Sequence, residues 1–361
     1  MYTLDSKDLE KTLAKAMDVV SMGSKTTAAT VTLSFTKTGL KLSVSNQAGA
    51  YTSELVCKVG DFKKSPPVAV VPDVLAAYTK GRKQIKVEPK PDGLAVIGSG
   101  GLNSKLYYVG DGVAVDMPEI PEGTEGMHIH AIGMDLLKSI EPMRDRTEKK
   151  PLSGRLVWNK KASTIEIVAG DTHHATHIHR ANAKCKANGD ITLPFASLKR
   201  VLNVGGQVYN VSNTVYAISE TESITLNDMV ESEAISMEDL KGLYDTKAKS
   251  SSVVKTSDMS SALDTLIIGT EDATSVTLQL DPEAGVLSMS VKTGAAKGAI
   301  KLKTAKAKNN MSVKVLAVHL LDCLKCIKSK EVKIDLRNNV IYLEGVAGDD
   351  TVRCVIALVP E

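Results

Sequence analysis

Three groupings of side chains in this 361-residue sequence have types and spacings that could do chemistry. His173, His177 and His179 recur at even intervals, so on a β-strand they share one face and could hold a divalent metal with an activated water. That arrangement would serve a metal-dependent hydrolase. A catalytic metal also asks for a carboxylate and an open coordination position, and neither is evident around these histidines, most of whose kind are surface residues. Cys323 and Cys326 have redox spacing, but they fall late in a helical pattern rather than at a helix amino terminus, where a thiolate would be stabilised. Core packing is the reading for them. Gly98-Ser99-Gly100-Gly101 lies between strand-like segments without the strand-to-helix context of a phosphate loop, and reads as a turn. No enzyme, cofactor or resident metal is expected.

The elements that must position these groups repeat along the chain. Pro72, Pro194 and Leu316 each follow a strand-like stretch and open a short apolar-periodic helix, and they are evenly spaced. Each of the three units opens with an amphipathic helix: Leu9, Leu13, Met17 and Val20; then Leu136, Leu137, Ile140 and Met143; then Met259, Leu263, Leu266 and Ile267. Alternating, β-rich segments follow, such as 30–35, 164–168 and 286–291, then the second helix and a closing set of strands such as 85–87, 332–336 and 352–358. Clusters of proline and acidic residues at 116–126 and a polar stretch at 231–252 read as extended linkers. Domains are therefore expected at 1–125, 126–236 and 250–361, with a linker at 237–249.

Composition narrows the class. A 24% charged and 43% hydrophobic chain without a long low-complexity tract is a folded, soluble type, and with only 4% aromatics its cores must be aliphatic. No apolar run approaches the ~20 residues of a membrane span, and the first residues lack a secretory pattern, so a cytoplasmic location and no membrane partner are expected. Five cysteines at irregular spacing fit reduced thiols. A net charge of +3 is too mild to signal nucleic-acid binding, so the positions of the charges carry that question.

Three local stretches, in order within the three units, carry a resemblance to the bacterial β sliding clamp over the full chain. The run from Leu106 to Ile120 resembles the closing strand and proline exit of a clamp's first domain. Ile167 to Thr176, containing Asp171 and His173, resembles the family's Thr-Asp-Gly-His-Arg-Leu-Ala strand. Leu320 to Cys326, then 332–336, then Cys354 to Glu361 follow the order of the last domain. His174 and Ala175 stand where the family has Arg and Leu, and Leu358 stands where it has proline; a divergent clamp, virus-encoded ones included, fits that drift.

The resemblance implies an α+β clamp fold of three similar helix-and-sheet domains, two chains closing head-to-tail into a ring of six domains. It implies a homodimeric, non-enzymatic processivity factor that encircles double-stranded DNA without sequence preference, in the host cytoplasm if virus-encoded. Its partners would be a DNA polymerase and a clamp loader, bound through short linear motifs. Phosphate contacts would come from basic residues on or beside the helices: Lys11, Lys15, Lys80, Arg82, Lys83, Lys138, Arg144, Arg146, Lys199, Arg200, Lys325 and Lys328. The fifth helix, with Asp258 and Asp264, carries no basic residue. Lys25 matches a DNA-contacting loop position of the family. The partner-peptide pocket carries over to Leu152, Gly170, His173, His174, Ala175, Val355, Ala357, Leu358 and Val359. The terminal apolar run reads as an edge strand that could line such a groove. A monomeric processivity factor that holds DNA by a basic face is the alternative within binding proteins.

Overall fold

The computed structural model describes residues 1–21, 30–62, 64–143, 153–171, 173–227, 237–268, 274–292, 297–337 and 339–359. The chain opens with β1 (Tyr2–Asp5), α1 (Ser6–Val20), β2 (Val31–Phe35), β3 (Gly39–Asn46), β4 (Gly49–Val56), β5 (Lys58–Val59), β6 (Val68–Val70), α2 (Pro72–Thr79), β7 (Gln84–Lys90), β8 (Gly93–Gly98), β9 (Leu102–Leu106) and β10 (Gly110–Asp111). It continues with α3 (His130–Ile140), β11 (Ser153–Asn159), β12 (Thr164–Gly170), β13 (His174–Arg180), β14 (Gly189–Pro194), α4 (Phe195–Asn203), β15 (Gln207–Val211), β16 (Thr214–Ile218) and β17 (Glu222–Leu226). The last part runs α5 (Met237–Asp245), β18 (Ser250–Lys255), α6 (Thr256–Leu266), β19 (Ser275–Asp281), β20 (Val286–Lys292), β21 (Lys297–Lys303), β22 (Ala305–Lys308), β23 (Met311–Leu316), α7 (Ala317–Cys326), β24 (Glu331–Arg337), β25 (Val340–Ala347) and β26 (Asp350–Ala357).

Local chemistry sets the helix limits. The Asp5 carboxylate accepts the Lys7 and Asp8 amides at 2.9 and 3.2 Å and caps α1, whose buried stripe of Leu9, Leu13 and Ala16 packs on β3 and β4. Pro72 starts α2, where its missing N–H costs nothing. Gly98 to Gly101 is the β8–β9 turn, with Gly100 and Gly101 at φ 78° and 81°.

The strands pair by one scheme, used three times. In the first, β6-β2-β3-β4 form one group and β1-β7-β8-β9 another. β14-β11-β12-β13 and β23-β19-β20-β21 repeat the first group, while β15-β16-β17 and β18-β24-β25-β26 repeat the second. Met127 bridges Val208 where a full strand would otherwise lie beside β15. Groups then fuse. β4 pairs with β17 to make an eight-stranded sheet, and β13 pairs with β26 to make a nine-stranded one. The remaining groups stand as a five-stranded sheet ending in β9 and a four-stranded sheet ending in β21.

By its contacts the chain forms two compact units: Met1–His130 with Arg200–Met229, and Ala131–Lys199 with Val230–Glu361. The five- and eight-stranded sheets belong to the first unit, the nine- and four-stranded sheets to the second.

Two sequence expectations fail here. The stretch expected as an extended linker contains α5, because Leu240, Leu243 and Tyr244 fall at helical spacing. Leu240 is buried among Val168, Ala175, Tyr342 and Val355, with Tyr244 packed beside them. Arg337 Nη1 donates to the carbonyls of Leu243 (3.0 Å) and Tyr244 at the end of α5, and its guanidinium lies 4.1 Å from the Tyr342 ring centroid. Nor is the terminal strand an edge, since β26 is paired on both sides, to β25 and β13. Its alternation alone could not reveal a partner so distant in sequence.

Candidate functional site

The expected pocket residues gather around the β13–β26 seam, where His174 lies opposite Ile356 and Ala175 opposite Val355. Alternation along β13 sends successive side chains to opposite faces. Ala175 and His177 face α5: Ala175 packs in the apolar cluster, and the His177 ring stacks on Tyr244 at 6.0 Å and 7°. His174 and Thr176 face α7, His174 stacking on His319 at 4.1 Å between centroids and Thr176 lying 3.8 Å from the Cys323 sulfur. The expected set is therefore split between the two faces of one sheet. Gly170, Ala357, Leu358 and Val359 are half-buried at its end, His173 is exposed, and Leu152 lies outside the described residues.

A tight turn leads into β13. Asp171 N–H donates to the His174 carbonyl at 2.9 Å, and Asp171 Oδ1 accepts the amides of His173 (2.7 Å) and His174 (2.8 Å). The same oxygen lies 2.9 Å from His174 Nδ1, with the His174 side chain fully buried. Burial pushes the Asp171 carboxyl up, but the His174 ring and the two amides outweigh it and hold its pKa at about 2.

The histidines expected to share a strand face do so only in part. His177 Nε2 sits 3.1 Å from Glu166 and His179 Nε2 4.0 Å from it, and the hydrogen bond to His177 leads the causes that hold the Glu166 carboxyl below its usual range. His173 instead belongs to the turn before the strand and stacks on His319 at 5.8 Å. Of the three, His173 is exposed and His179 half-buried, as expected of surface histidines, whereas His177 is buried under α5. Cys323 and Cys326 lie in the core late in α7, where burial pushes both thiols well up, as their position in the pattern implies.

The expected DNA-contacting residues are mostly exposed: Lys11 on α1; Lys80 and Lys83 after α2; Lys138 on α3; Lys199 on α4; Lys325 on α7; and Lys328 just past its end. Several are engaged within the chain. Lys15 Nζ meets Glu222 at 2.5 Å, Lys199 meets Glu141 at 3.5 Å, and Lys328 donates to Ser139 Oγ at 2.7 Å. Arg82 is half-buried and donates to the carbonyls of Tyr78 and Lys80, and Arg200 is half-buried on α4. Lys25, Arg144 and Arg146 lie outside the described residues.

Sequence reasoning missed His319, Leu240, Tyr244 and Arg337. His319 had a signal, being the polar residue of an otherwise apolar helix start, Ala317-Val318-His319-Leu320. A buried polar residue in such a run has a partner on the facing element.

Among the described residues no helix is long and apolar enough to cross a membrane. No protein-family model and no curated protein sequence matches the chain. Solved structures do. The DNA polymerase III β chain of Streptococcus pneumoniae TIGR4 superposes with a TM-score of 0.83 at 15% identity, covering 100% of this chain and 99% of that one. The DNA polymerase III subunit beta of Pseudomonas aeruginosa gives 0.77 at 17%, covering 100% of both. The Helicobacter pylori β clamp bound to a DNA ligase peptide gives 0.77 at 14%, covering 99% of both. From first strand to last, the chain has the α+β fold of the bacterial DNA polymerase III β chains.

Proposed function

We propose that this chain is a DNA sliding clamp, a non-enzymatic ring of two head-to-tail chains that encircles duplex DNA and tethers a polymerase. The observation that carries this reading is the pairing scheme. Its second group of strands joins the first group of the preceding repeat at β4·β17 and again at β13·β26. A third junction of that kind has both halves present, β9 at the edge of one sheet and β21 at the edge of another. Joining β21 of one chain to β9 of a second makes a nine-stranded sheet and, done twice, closes six repeats. On this reading the three repeats are the three domains expected from the sequence, near 1–125, 126–236 and 250–361.

The equivalence also sets a register. Counting through the ladders from the helix caps Val71 and Leu316, Lys297 takes the place that Ala50 and Ala175 hold in the existing junctions. From the caps Asp5 and Lys255, Lys105 takes the place of Val355. Leu102 then opposes Ile300, and Ser104 opposes Gly298. All four are the half-buried positions of their strands, so core faces meet core faces.

Holding by topology needs only weak, mobile phosphate contacts, which the exposed Lys11, Lys80, Lys83, Lys138, Lys199, Lys325 and Lys328, together with Lys25, Arg144 and Arg146, would supply. Polymerase and loader motifs would dock at the start of β13 beside Ala357, Leu358 and Val359. Native mass by light scattering, then retention on circular against linearised DNA, tests the proposal. A dimer that stays on circles and runs off linear ends supports it. A monomer at every concentration overturns the ring and favours a tethered, basic-face processivity factor.

A further inference from the structure

We propose that the outer face of the four-stranded sheet β23-β19-β20-β21 is a docking surface for an extended acidic segment of a partner protein. Leu287, Met289 and Val291 of β20 are buried on the side where α6 and α7 pack, so alternation turns the other set of side chains outward. That outward face carries Lys292, Lys297, Lys301, Lys303 and Lys314, all exposed. Among the described residues none of the five has an ion pair or a side-chain hydrogen bond. Lys292 and Lys297 are direct cross-strand partners, and like charges so placed destabilise a sheet unless an anion lies over them.

The first two repeats show what covers this face. In the first, the chain leaves β10 and crosses β3 and β4: Val115 N–H donates to Ser43 Oγ at 3.2 Å, Thr52 Oγ1 donates to the Val115 carbonyl at 3.1 Å, and Lys41 Nζ meets Asp116 at 2.6 Å. In the second, α5 lies over Val168 and Ala175. The registers make Ser43, Val168 and Ser290 equivalent, as they do Ala50, Ala175 and Lys297. The paths agree at the entry too, where Val109 N–H donates to the Ala69 carbonyl at 3.0 Å and Val359 N–H to the equivalent Lys314 carbonyl at 2.8 Å. Past that bond the third repeat has no such cover among the described residues, and Ser290 is half-buried where Ser43 is fully buried.

Charge says what the cover is. The five lysines stand where the first repeat has Ser45, Ala50, Glu54, Val56 and Ala69, and where the second has Gly170, Ala175, His179, Ala181 and Thr192. Neither set contains a lysine or arginine, so the basic charge belongs to the one face left open and complements carboxylates. The face has no aromatic ring on which a base could stack. Its precedent is a peptide main chain, and Ser290 Oγ is placed to accept an amide as Ser43 does. The face is complete within one chain, so this inference stands or falls independently of ring closure.

The test is fluorescence anisotropy of a labelled peptide of alternating glutamate and serine, titrated with the full chain, beside a labelled linear DNA duplex. Lys297→Glu combined with Lys301→Glu should weaken peptide binding about tenfold or more, because each reversal turns an attraction into a repulsion. Ser290→Ala should weaken it about 2- to 10-fold, the worth of one hydrogen bond. Lys160→Glu combined with Lys161→Glu, exposed at the β11–β12 turn, should leave it within about twofold. Peptide affinity unchanged in the face variant or in Ser290→Ala, or lowered equally by the turn variant, overturns the site. A duplex that loses more affinity than the peptide in the face variant makes nucleic acid the occupant and overturns it as well.

Discussion

Placing a carboxylate at Leu102 should open the ring. Leu102 and Ile300 are each half-buried in the isolated chain and would complete their burial against each other across the junction. Full burial of such a side chain is worth about 1.5–3 kcal/mol, so roughly half of that remains to be gained on closure. A carboxylate facing Ile300 forfeits this and adds an unpartnered polar group worth roughly 1–3 kcal/mol. The sum is about 2–4.5 kcal/mol per junction. A head-to-tail pair has two junctions, so Leu102→Asp should weaken the dimer by about 4–9 kcal/mol, at least on the order of 1,000-fold in dissociation constant.

The register makes the experiment sharper. Adding Ile300→Lys to the same chain sets opposite charges face to face at both junctions, each pair worth about 0.2–1 kcal/mol, so the double variant should dimerise more tightly than additivity allows. Leu302→Lys, two residues along, should couple less. Sedimentation equilibrium reads the six dissociation constants of the parent, the three single variants and the two double variants. A dimer that tolerates Leu102→Asp within about threefold, or couples better to Lys at 302 than at 300, refutes the derived junction.

Other consequences are checked more simply. Leu240→Ala should cost about 2–5 kcal/mol by leaving a cavity under α5, and limited proteolysis should then cut within 237–249. Gly189→Ala would put a methyl 2.1 Å from the Trp158 ring; as Trp158 is the only tryptophan, its emission should shift to the red while stability falls by about 1–3 kcal/mol. The depressed Glu166 carboxyl contributes stability that is complete above its ordinary pKa of 4.5 and is lost as pH falls through its lower folded value. Glu166→Gln should therefore flatten the acid limb of a pH–stability curve measured by urea unfolding.

The helices and most strands were legible in the sequence because each shows its own period: Leu9, Leu13 and Met17 for α1, alternation for β19 and β20. α5 was not, since its three apolar positions sit in a polar stretch that composition marks as a linker, and what fixes it, Arg337 and Tyr342, comes from strands nearly a hundred residues on. Alternation rightly put His177 and His179 on one face, but it assumed a strand that includes His173. The Asp171 turn starts the strand one residue later and keeps His173 out of it, while alternation itself puts His174 on the α7 face. The split of the pocket set follows from the same parity. His319 could join Asp171 and His174 only through tertiary packing, which no local pattern encodes.

The two fused sheets also constrain how the chain can be made. β4 is complete at Val56, yet its neighbour β17 begins at Glu222. β13 ends at Arg180 and waits for β26, which begins at Asp350. On a ribosome both strands emerge long before their partners, with an unsatisfied ladder edge exposed while roughly 170 further residues are made. Loop closure of that span precedes the reward of pairing, so the last step of folding is slow and sensitive to truncation. A chain lacking only β26 would leave β13 as a ready template for another copy, and intermolecular strand exchange, rather than simple unfolding, is the failure such a truncation should produce.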